Sequence, residues 1–254
     1  MLQANSLSKA FGGLLAVNTY SLAIQPKEIV GLMGPNGAGK TTVLNLLSAL
    51  DKPSKGTIQF LGRDIVGHLP HQVSGLGLAR TFQNLRLFKE MSVLENVMAA
   101  ALSQHSYGLF DALFSTPHFR KGHQELQEKA RALLSKVGLQ DDASMEAGKL
   151  PYGKQRRLEI ARALATRPKL LLLDEPAAGM VQEEQQDLSR LLKSLRDEGL
   201  TLFVIDHNIA FLTGLCERIQ VMRHGELIAE GTPQDVVKDK QVIEAYLGEE
   251  VILS

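Results

Sequence analysis

The sequence has no surplus of charge of either sign, because lysine plus arginine and aspartate plus glutamate both number 28. It also has no block of like charges. Proteins that bind nucleic acid normally carry a basic surplus or a basic stripe, since they must neutralise phosphates. The balance argues against that class, and we expect no nucleic-acid partner.

Cysteine and long apolar runs are also scarce. Cys216 is the single cysteine, so no disulfide can form within the chain, and its apolar neighbours favour a small core residue. No apolar run approaches the roughly 18 residues that span a bilayer. The first residues lack the apolar segment of a signal peptide. We therefore expect a cytoplasmic protein that contacts a membrane only through a partner.

The pattern of apolar residues and turn residues predicts alternating strands and helices. Strands are expected over residues 16–24, 29–33, 56–61, 78–82, 170–173 and 201–205, and helices over 40–50, 124–137, 153–166 and 182–198. Strands that alternate with helices indicate an α/β core. The mainly helical stretch 85–146 interrupts this pattern, so we expect it to form an inserted subdomain.

A glycine-rich segment, Gly34-Pro-Asn-Gly-Ala-Gly-Lys-Thr41, matches the phosphate-loop pattern G-x-x-x-x-G-K-[ST] between an apolar strand and a helix. Its glycines let backbone N–H groups surround a phosphate at the positive end of the helix dipole. Lys40 supplies a charge for the terminal phosphates, and the Thr41 hydroxyl can bind Mg²⁺. The alternative is a glycine-rich turn without a ligand. The predicted nucleotide-binding residues are Gly34, Pro35, Asn36, Gly37, Ala38, Gly39, Lys40, Thr41 and Thr42.

Two acids, Asp174 and Glu175, follow four leucines that read as a buried parallel strand. Open α/β sheets place their ligands at the carboxyl ends of such strands. Asp174 is therefore a candidate Mg²⁺ ligand, and Glu175 is a candidate for orienting or deprotonating the attacking water. The alternative is an acidic strand end without a role.

A third segment, Leu150-Pro-Tyr-Gly-Lys-Gln155, stands directly before a predicted helix. Gly153 there suggests another helix N-terminus that can receive an anion. Taken alone, the segment could equally be an ordinary helix cap.

The set of motifs resembles the ATP-binding cassette of ABC transporters across nearly the whole chain. In order, it comprises the phosphate loop, Gln83, the signature segment 150–155, Asp174-Glu175 and His207. The resemblance implies a P-loop NTPase (RecA-like) α/β core with an antiparallel β subdomain and an inserted helical subdomain. The expected divisions are 1–84 with 147–230 for the core, 85–146 for the helical subdomain and 231–254 for a helical tail.

The resemblance also implies roles for individual residues. Glu175, His207 and Gln83 are expected to be catalytic, and Thr41, Gln83 and Asp174 to hold Mg²⁺. Phe11 occupies the position of an aromatic that stacks on adenine, although a core phenylalanine is the competing reading. The signature residues expected to contact the nucleotide of a facing cassette are Tyr152, Gly153 and Lys154.

Further segments are similar to the high-affinity branched-chain amino acid transport subfamily. They include Ala79-Arg-Thr-Phe-Gln-Asn-Leu-Arg-Leu-Phe88, Asp174-Glu-Pro-Ala-Ala-Gly-Met180 and the ending from Glu230. The resemblance implies an importer ATPase that uses ATP and Mg²⁺ at the cytoplasmic face of the cell membrane. Implied partners are integral membrane permease subunits, a second cassette in a homo- or heterodimer and, indirectly, a solute-binding protein. Importers of urea or short amides, and soluble ABC-type ATPases outside transport, are the alternatives.

Some positions depart from the family pattern. Lys154 stands where glutamine is usual, and Met180 where aspartate is common, which leaves a catalytically quiet cassette as a further alternative. The apolar stripe of Tyr107, Phe110, Leu113 and Phe114 predicts packing on the helical subdomain or a permease contact. We also expect a permease helix to dock near Gln83, Leu85 and Phe88.

Overall fold

The computed structural model describes residues 1–102 and 117–250, with side chains described for 1–102 and 121–246. Packing divides the chain into two units, Met1–Gln83 with Lys169–Ser254, and Asn84–Pro168. The apolar stripe at residues 107–114 lies outside the described residues.

The first unit contains ten strands among its described residues, named here in chain order. They are β1 Leu2–Phe11, β2 Leu14–Ile24, β3 Ile29–Met33, β4 Lys55–Phe60, β5 Arg63–Asp64, β6 Leu78–Arg80, β7 Leu170–Asp174, β8 Thr201–Ile205, β9 Arg218–Arg223 and β10 Glu226–Gly231. The α-helices among the described residues of both units are α1 Lys40–Leu47, α2 Pro70–Gly75, α3 Val93–Ala101, α4 Pro117–Lys136, α5 Tyr152–Ala165, α6 Gln182–Asp197, α7 Ile209–Leu215, α8 Pro233–Val236 and α9 Lys240–Glu250.

A six-stranded sheet forms the centre of the first unit, in the order β10-β9-β3-β8-β7-β6. All its neighbouring strands are parallel except β9 and β10, which form a hairpin. Strands β3, β7 and β8 are buried along their whole length, which explains their continuous apolar sequence. Their carboxyl ends lie at one edge of the sheet, so the segments that follow them are brought together there.

A four-stranded antiparallel sheet, in the order β2-β1-β4-β5, packs against helix α1 and the central sheet. Alternate residues of β2 face this core, including Val17, Tyr20 and Leu22. Phe60 of β4 is also fully buried in it. The core therefore holds the strand and helix on either side of the phosphate-loop segment in fixed places.

The second unit is built mainly from helices α3, α4 and α5, which pack on one another. Ser92 caps α3, since its hydroxyl accepts a hydrogen bond from the N–H of Glu95 while the Glu95 carboxylate accepts one from the N–H of Ser92. The Ser92 hydroxyl and the Ser92 N–H both donate to the Glu95 carboxylate, and these two hydrogen bonds hold the pKa of Glu95 below its usual value. Helix α4 ends before Gly138, whose φ of 73° suits glycine. The packing of α5 groups residues 147–168 with the helices, whereas the sequence-based division placed them with the core.

The predicted fold class, an α/β core with an antiparallel β subdomain and an inserted helical unit, is confirmed. Several predicted boundaries are wrong, and the largest difference is the start of α4 at Pro117, where the pattern predicted 124. Helix α1 ends at Leu47 because the chain turns at Ala49, whose φ is 58°. Strand β6 ends at Arg80, two residues before the predicted end. Helix α5 begins at Tyr152, so Gly153 lies within its first turn.

In the parts of the chain that the structure describes, no helix combines the length and the apolar character needed to cross a membrane.

Candidate functional site

The phosphate loop joins β3 to α1 and depends on its glycines. Gly34 has a φ of 152° and Gly39 a φ of 101°, and a β-carbon on Gly39 would lie 2.5 Å from the carbonyl oxygen of Ala16. A β-carbon on Gly34 would lie 2.2 Å from the carbonyl oxygen of Met222. Both positions therefore require glycine, because a side chain would collide with backbone. Gly37 also has a positive φ, but a β-carbon there would meet open space.

Lys40 is buried at the first position of α1, and its ammonium group turns back over the loop. It donates hydrogen bonds to the carbonyl oxygens of Gly34 at 2.6 Å and Pro35 at 2.8 Å. The loop carbonyls thus place the lysine charge beside the N–H groups that surround a phosphate. This arrangement suits the terminal phosphates of a nucleotide.

A cleft of about 430 Å³ opens over this loop in the first unit. It is lined by Leu14, Leu15, Ala16, Asn36, Gly37, Ala38, Gly39, Lys40, Thr41, Thr42, Gln83, Glu175, His224 and Gly225. Seven of the nine predicted loop residues, those at 36–42, thus line a single cavity together with Gln83 and Glu175. Its lining combines polar groups with the apolar side chains of the β2 strand.

Asp174 ends β7 and is buried in an ion pair that the sequence analysis did not anticipate. Its Oδ2 lies 3.0 Å from Nη2 of Arg80, and both side chains are over nine-tenths buried. The same guanidinium donates to Oδ1 of Asn45 at 2.7 Å and to Oγ of Ser48 at 3.1 Å. In the sequence, the one sign of this pair is that Arg80 ends β6, an otherwise apolar strand that lies beside β7 in the sheet.

Glu175 follows directly and adopts a left-handed backbone conformation with a φ of 47°. Its Oε2 accepts a hydrogen bond from Nε2 of Gln83 at 3.0 Å, and its Oε1 lies 3.8 Å from Nδ1 of His207. The structure therefore brings together the three residues that the sequence analysis named as catalytic. The His207 side chain is 60% exposed, so it is neither a core residue nor a cap.

Asp206, immediately before His207, is fully buried. Its Oδ2 accepts a hydrogen bond from the N–H of Ala177 at 3.2 Å, and its Oδ1 accepts one from the N–H of Asn208 at 2.9 Å. Burial raises the pKa of this carboxyl, although the two hydrogen bonds lower it. The side chain of Asp206 therefore points into the protein and is held by backbone groups of two neighbouring segments.

Phe11 ends β1 and lies opposite Leu14 of β2. The side chain is 46% exposed, and the ammonium group of Lys9 lies 4.8 Å from the centre of its ring. The core reading of Phe11 is therefore wrong. The adenine-stacking role stays a prediction.

The residues expected to hold Mg²⁺ are Thr41, Gln83 and Asp174. The hydroxyl, amide oxygen and carboxylate that they offer are oxygen donors, the class that Mg²⁺ prefers. Within the described ranges, no group of three or more acids, histidines or cysteines is arranged to hold a metal. The residues fit a Mg²⁺ ion that takes its remaining oxygens from a nucleotide and water, as such ions commonly do.

The signature segment begins α5 in the second unit. Pro151 precedes the helix, Gly153 is buried in its first turn and Tyr152 is 42% exposed. Nζ of Lys154 lies 2.8 Å and 3.0 Å from the two carboxylate oxygens of Asp142. Lys154 therefore carries a partly neutralised charge, which the sequence analysis did not anticipate.

Two other features of the sequence analysis have defined surroundings. Arg156 is buried and pairs with Glu159 at 3.1 Å. Met180 is buried, not on the protein surface. Phe88 is 48% exposed, and the guanidinium of Arg162 lies 4.9 Å from the centre of its ring. Docking of a permease helix on Phe88 stays a prediction.

Comparisons with known proteins agree on one family. A model of the ABC transporter family matches residues 17–178, and one of the branched-chain amino acid ATP-binding cassette transporters matches residues 226–252. The chain is 45% identical over 250 residues to the high-affinity branched-chain amino acid transport ATP-binding protein LivG of Salmonella typhimurium, covering 98% of both chains. It is 43% identical to the corresponding BraF of Pseudomonas aeruginosa, again over 98% of both. An ATP-binding cassette of an ABC transporter, solved in its ADP conformation, is 30% identical, with a TM-score of 0.86 and 98% of each chain covered.

Proposed function

The chain belongs to the ABC transporter family of ATP-binding cassettes, and we propose that it hydrolyses ATP to drive the import of branched-chain amino acids. The family assignment rests on the matches to residues 17–178 and on the identity over nearly the whole chain. The observation that carries the catalytic part is the cluster of Glu175, Gln83 and His207 beside the phosphate loop.

We infer that the cleft over the phosphate loop binds ATP. The loop N–H groups and Lys40 hold the phosphates, while the exposed ring of Phe11 is available to stack on adenine. A Mg²⁺ ion held there would supply positive charge to offset the negative charge that develops on the phosphates. Thr41, Gln83 and Asp174 are the residues that would hold it. The ion pair with Arg80 fixes the orientation of the Asp174 carboxylate.

Glu175 acts as the base that orients and deprotonates the attacking water. The Gln83 amide on Oε2 fixes the carboxylate, and His207 lies beside Oε1 with its ring half in solvent. His207 is therefore placed to contact the terminal phosphate while it keeps Glu175 and the water aligned. Because these groups are positioned before reaction, alignment contributes to the rate.

Two cassettes are proposed to face each other head to tail. Tyr152, Gly153 and Lys154 of one chain would contact the nucleotide held by Lys40 and its loop in the other. ATP then bridges the two faces and favours the closed pair, and hydrolysis removes that preference. The facing cassette can be identical or different.

The motor is proposed to act at the cytoplasmic face of the membrane as a peripheral subunit. Its direct partners are the integral membrane permease subunits, and a solute-binding protein acts through them. Branched-chain amino acids are the proposed cargo, because the relatives at 43% to 45% identity are named for their transport and the ending matches that family's model.

Glu175→Gln tests the proposed hydrolysis. The variant keeps the side-chain shape but removes the base, so turnover should fall at least a hundredfold while ATP affinity changes less than twofold. Turnover is measured by phosphate release at saturating MgATP, and affinity by titration calorimetry. The variant should also collect as an ATP-bound dimer on gel filtration. Multiple-turnover hydrolysis at the wild-type rate by this variant would contradict the role of Glu175.

The cargo is tested separately with the complex reconstituted in vesicles. Uptake of leucine, isoleucine and valine should depend on ATP and on Glu175. Uptake of urea or short amides in their place would replace the proposed substrate class while leaving the ATPase assignment intact.

A further inference from the structure

A single buried carboxylate links the two segments that carry the proposed catalytic groups. Asp174 of β7 and Ile205 of β8 are register partners, so Glu175 and Asp206 leave the sheet side by side. Asp206 is fully buried, and it belongs to neither the phosphate loop nor the Glu175 cluster. An apolar side chain could occupy this buried position, so the presence of a carboxylate there indicates a role other than packing.

The first link runs from Asp206 to the segment after Glu175. The left-handed conformation of Glu175 is unfavourable for a residue with a side chain, so its surroundings must impose it. On one side, the N–H of Glu175 donates to the carbonyl oxygen of Ile205 at 2.8 Å. On the other side, the N–H of Ala177 donates to Oδ2 of Asp206 at 3.2 Å. Two hydrogen bonds thus attach the Glu175 turn to the end of β8, one at Glu175 and one just after it.

The second link runs from Asp206 to the segment that carries His207. Oδ1 of Asp206 accepts a hydrogen bond from the N–H of Asn208 at 2.9 Å, which closes a tight turn around His207. Asn208 in turn caps α7, because its side chain accepts from the N–H of Phe211 at 3.0 Å. His207 is thereby held at the point where its Nδ1 lies 3.8 Å from Oε1 of Glu175.

We propose that Asp206 is a positioning residue that sets the distance between Glu175 and His207 by holding both turns with its two carboxylate oxygens. Because it is fully buried, its effect reaches the reaction through the two neighbouring segments. The proposal rests on the proposed function, since it assigns a role within the same hydrolysis. A side chain with one acceptor oxygen would leave one of the two buried backbone N–H groups without an acceptor, and an apolar side chain would leave both without one.

Asp206→Asn is the main test, because an asparagine keeps the shape but has one acceptor oxygen in place of two. We expect kcat to fall at least tenfold and the thermal midpoint to fall because one buried backbone N–H loses its acceptor, while the Kd for MgATP changes little. Asp206→Glu keeps both acceptors but adds a methylene to a fully buried site, so it should lower the thermal midpoint and restore most of the turnover. A loss of turnover in Asp206→Asn that Asp206→Glu does not share, although both variants lower the thermal midpoint, is the signature of positioning.

The matched control for stability is Tyr20→Phe, which removes the buried hydrogen bond from the Tyr20 hydroxyl to Gln220 outside the cleft. It should lower the midpoint and leave kcat unchanged. A kcat for Asp206→Asn within twofold of wild type would overturn the proposal, as would a loss of turnover in Asp206→Glu as large as that in Asp206→Asn. Wild type without hydrolysis, or Glu175→Gln with normal hydrolysis, contradicts the proposed function instead.

Discussion

The two parts of the molecule expected to meet nucleotide are held in opposite ways. In the first unit, Asp174, Glu175 and Asp206 follow buried strands and are fixed by hydrogen bonds to groups far away in sequence. In the second unit, Tyr152 and Lys154 begin a helix, remain largely exposed and use partners within the same small unit. The sheet-borne groups are therefore placed with little freedom, whereas the helix-borne ones keep side-chain freedom. The sheet-borne arrangement suits catalytic groups that must stay in place, and the helix-borne arrangement suits a contact that can adjust.

The sharpest way to break the sheet-borne site is to remove one member of its buried ion pair. Arg80→Met leaves the buried Asp174 carboxylate without its guanidinium, so the free energy of unfolding should fall by about 3–5 kcal/mol. Urea unfolding followed by circular dichroism measures the change.

The matched control is Arg190→Met, since Arg190 pairs with Asp187 on the surface. That pair should be worth less than about 1 kcal/mol. Equal losses in the two variants would mean that the buried pair is not what holds Asp174.

A pair of glycine variants sharpens the comparison within the phosphate loop. Gly39→Ala places a β-carbon against the carbonyl oxygen of Ala16, so ATP affinity should fall at least tenfold. Gly37→Ala meets open space and should cost only the backbone preference, about 1 kcal/mol of stability. Titration calorimetry with MgATP and thermal unfolding measure the two effects. Similar ATP affinities of the two variants would show that the loop accommodates a side chain at Gly39.

The smallest effect is expected in the helix-borne segment. Because Asp142 offsets the charge of Lys154, Lys154→Gln should change stability by less than about 1 kcal/mol. We expect it to shift the ATP concentration for half-maximal dimerisation by less than twofold.

Asp142→Asn provides the contrast, because it keeps Lys154 and removes the neutralising carboxylate. It should lower the ATP concentration needed for dimerisation several-fold at low salt and have little effect at high salt. ATP titrations by light scattering at two salt concentrations measure both variants. A shift of several-fold for Lys154→Gln would show that its charge acts across the dimer despite Asp142.

Sequence reasoning succeeded where one continuous segment carries the information. The phosphate loop is recognised from its glycines and lysine between a strand and a helix. Asp174 and Glu175 are recognised because they follow an unbroken run of leucines. The central strands were predicted because both their faces are buried. The family itself was also predicted correctly.

Sequence reasoning failed where the partner comes from elsewhere in the fold. The pairing of Arg80 with Asp174 depends on β6 lying beside β7, which no local pattern reports. Asp206 was not among the predicted site residues, because no local pattern shows that its side chain is buried and accepts hydrogen bonds from two neighbouring turns. Lys154 and Asp142 lie in different elements, so their contact follows only from the packing of the helical unit.

The order of strands in the central sheet has a consequence for synthesis on the ribosome. β3 leads into the phosphate loop, but both its neighbours, β8 and β9, are translated after the entire second unit. An emerging chain therefore contains the loop motif before the sheet that shapes the loop can form. During that time the apolar strand β3 has no neighbouring strand to pair with. The helical unit, rich in local contacts, is expected to fold during that interval. Nucleotide binding then becomes possible only once β9 has emerged, so competence for ATP depends on synthesis of the strands that follow the second unit.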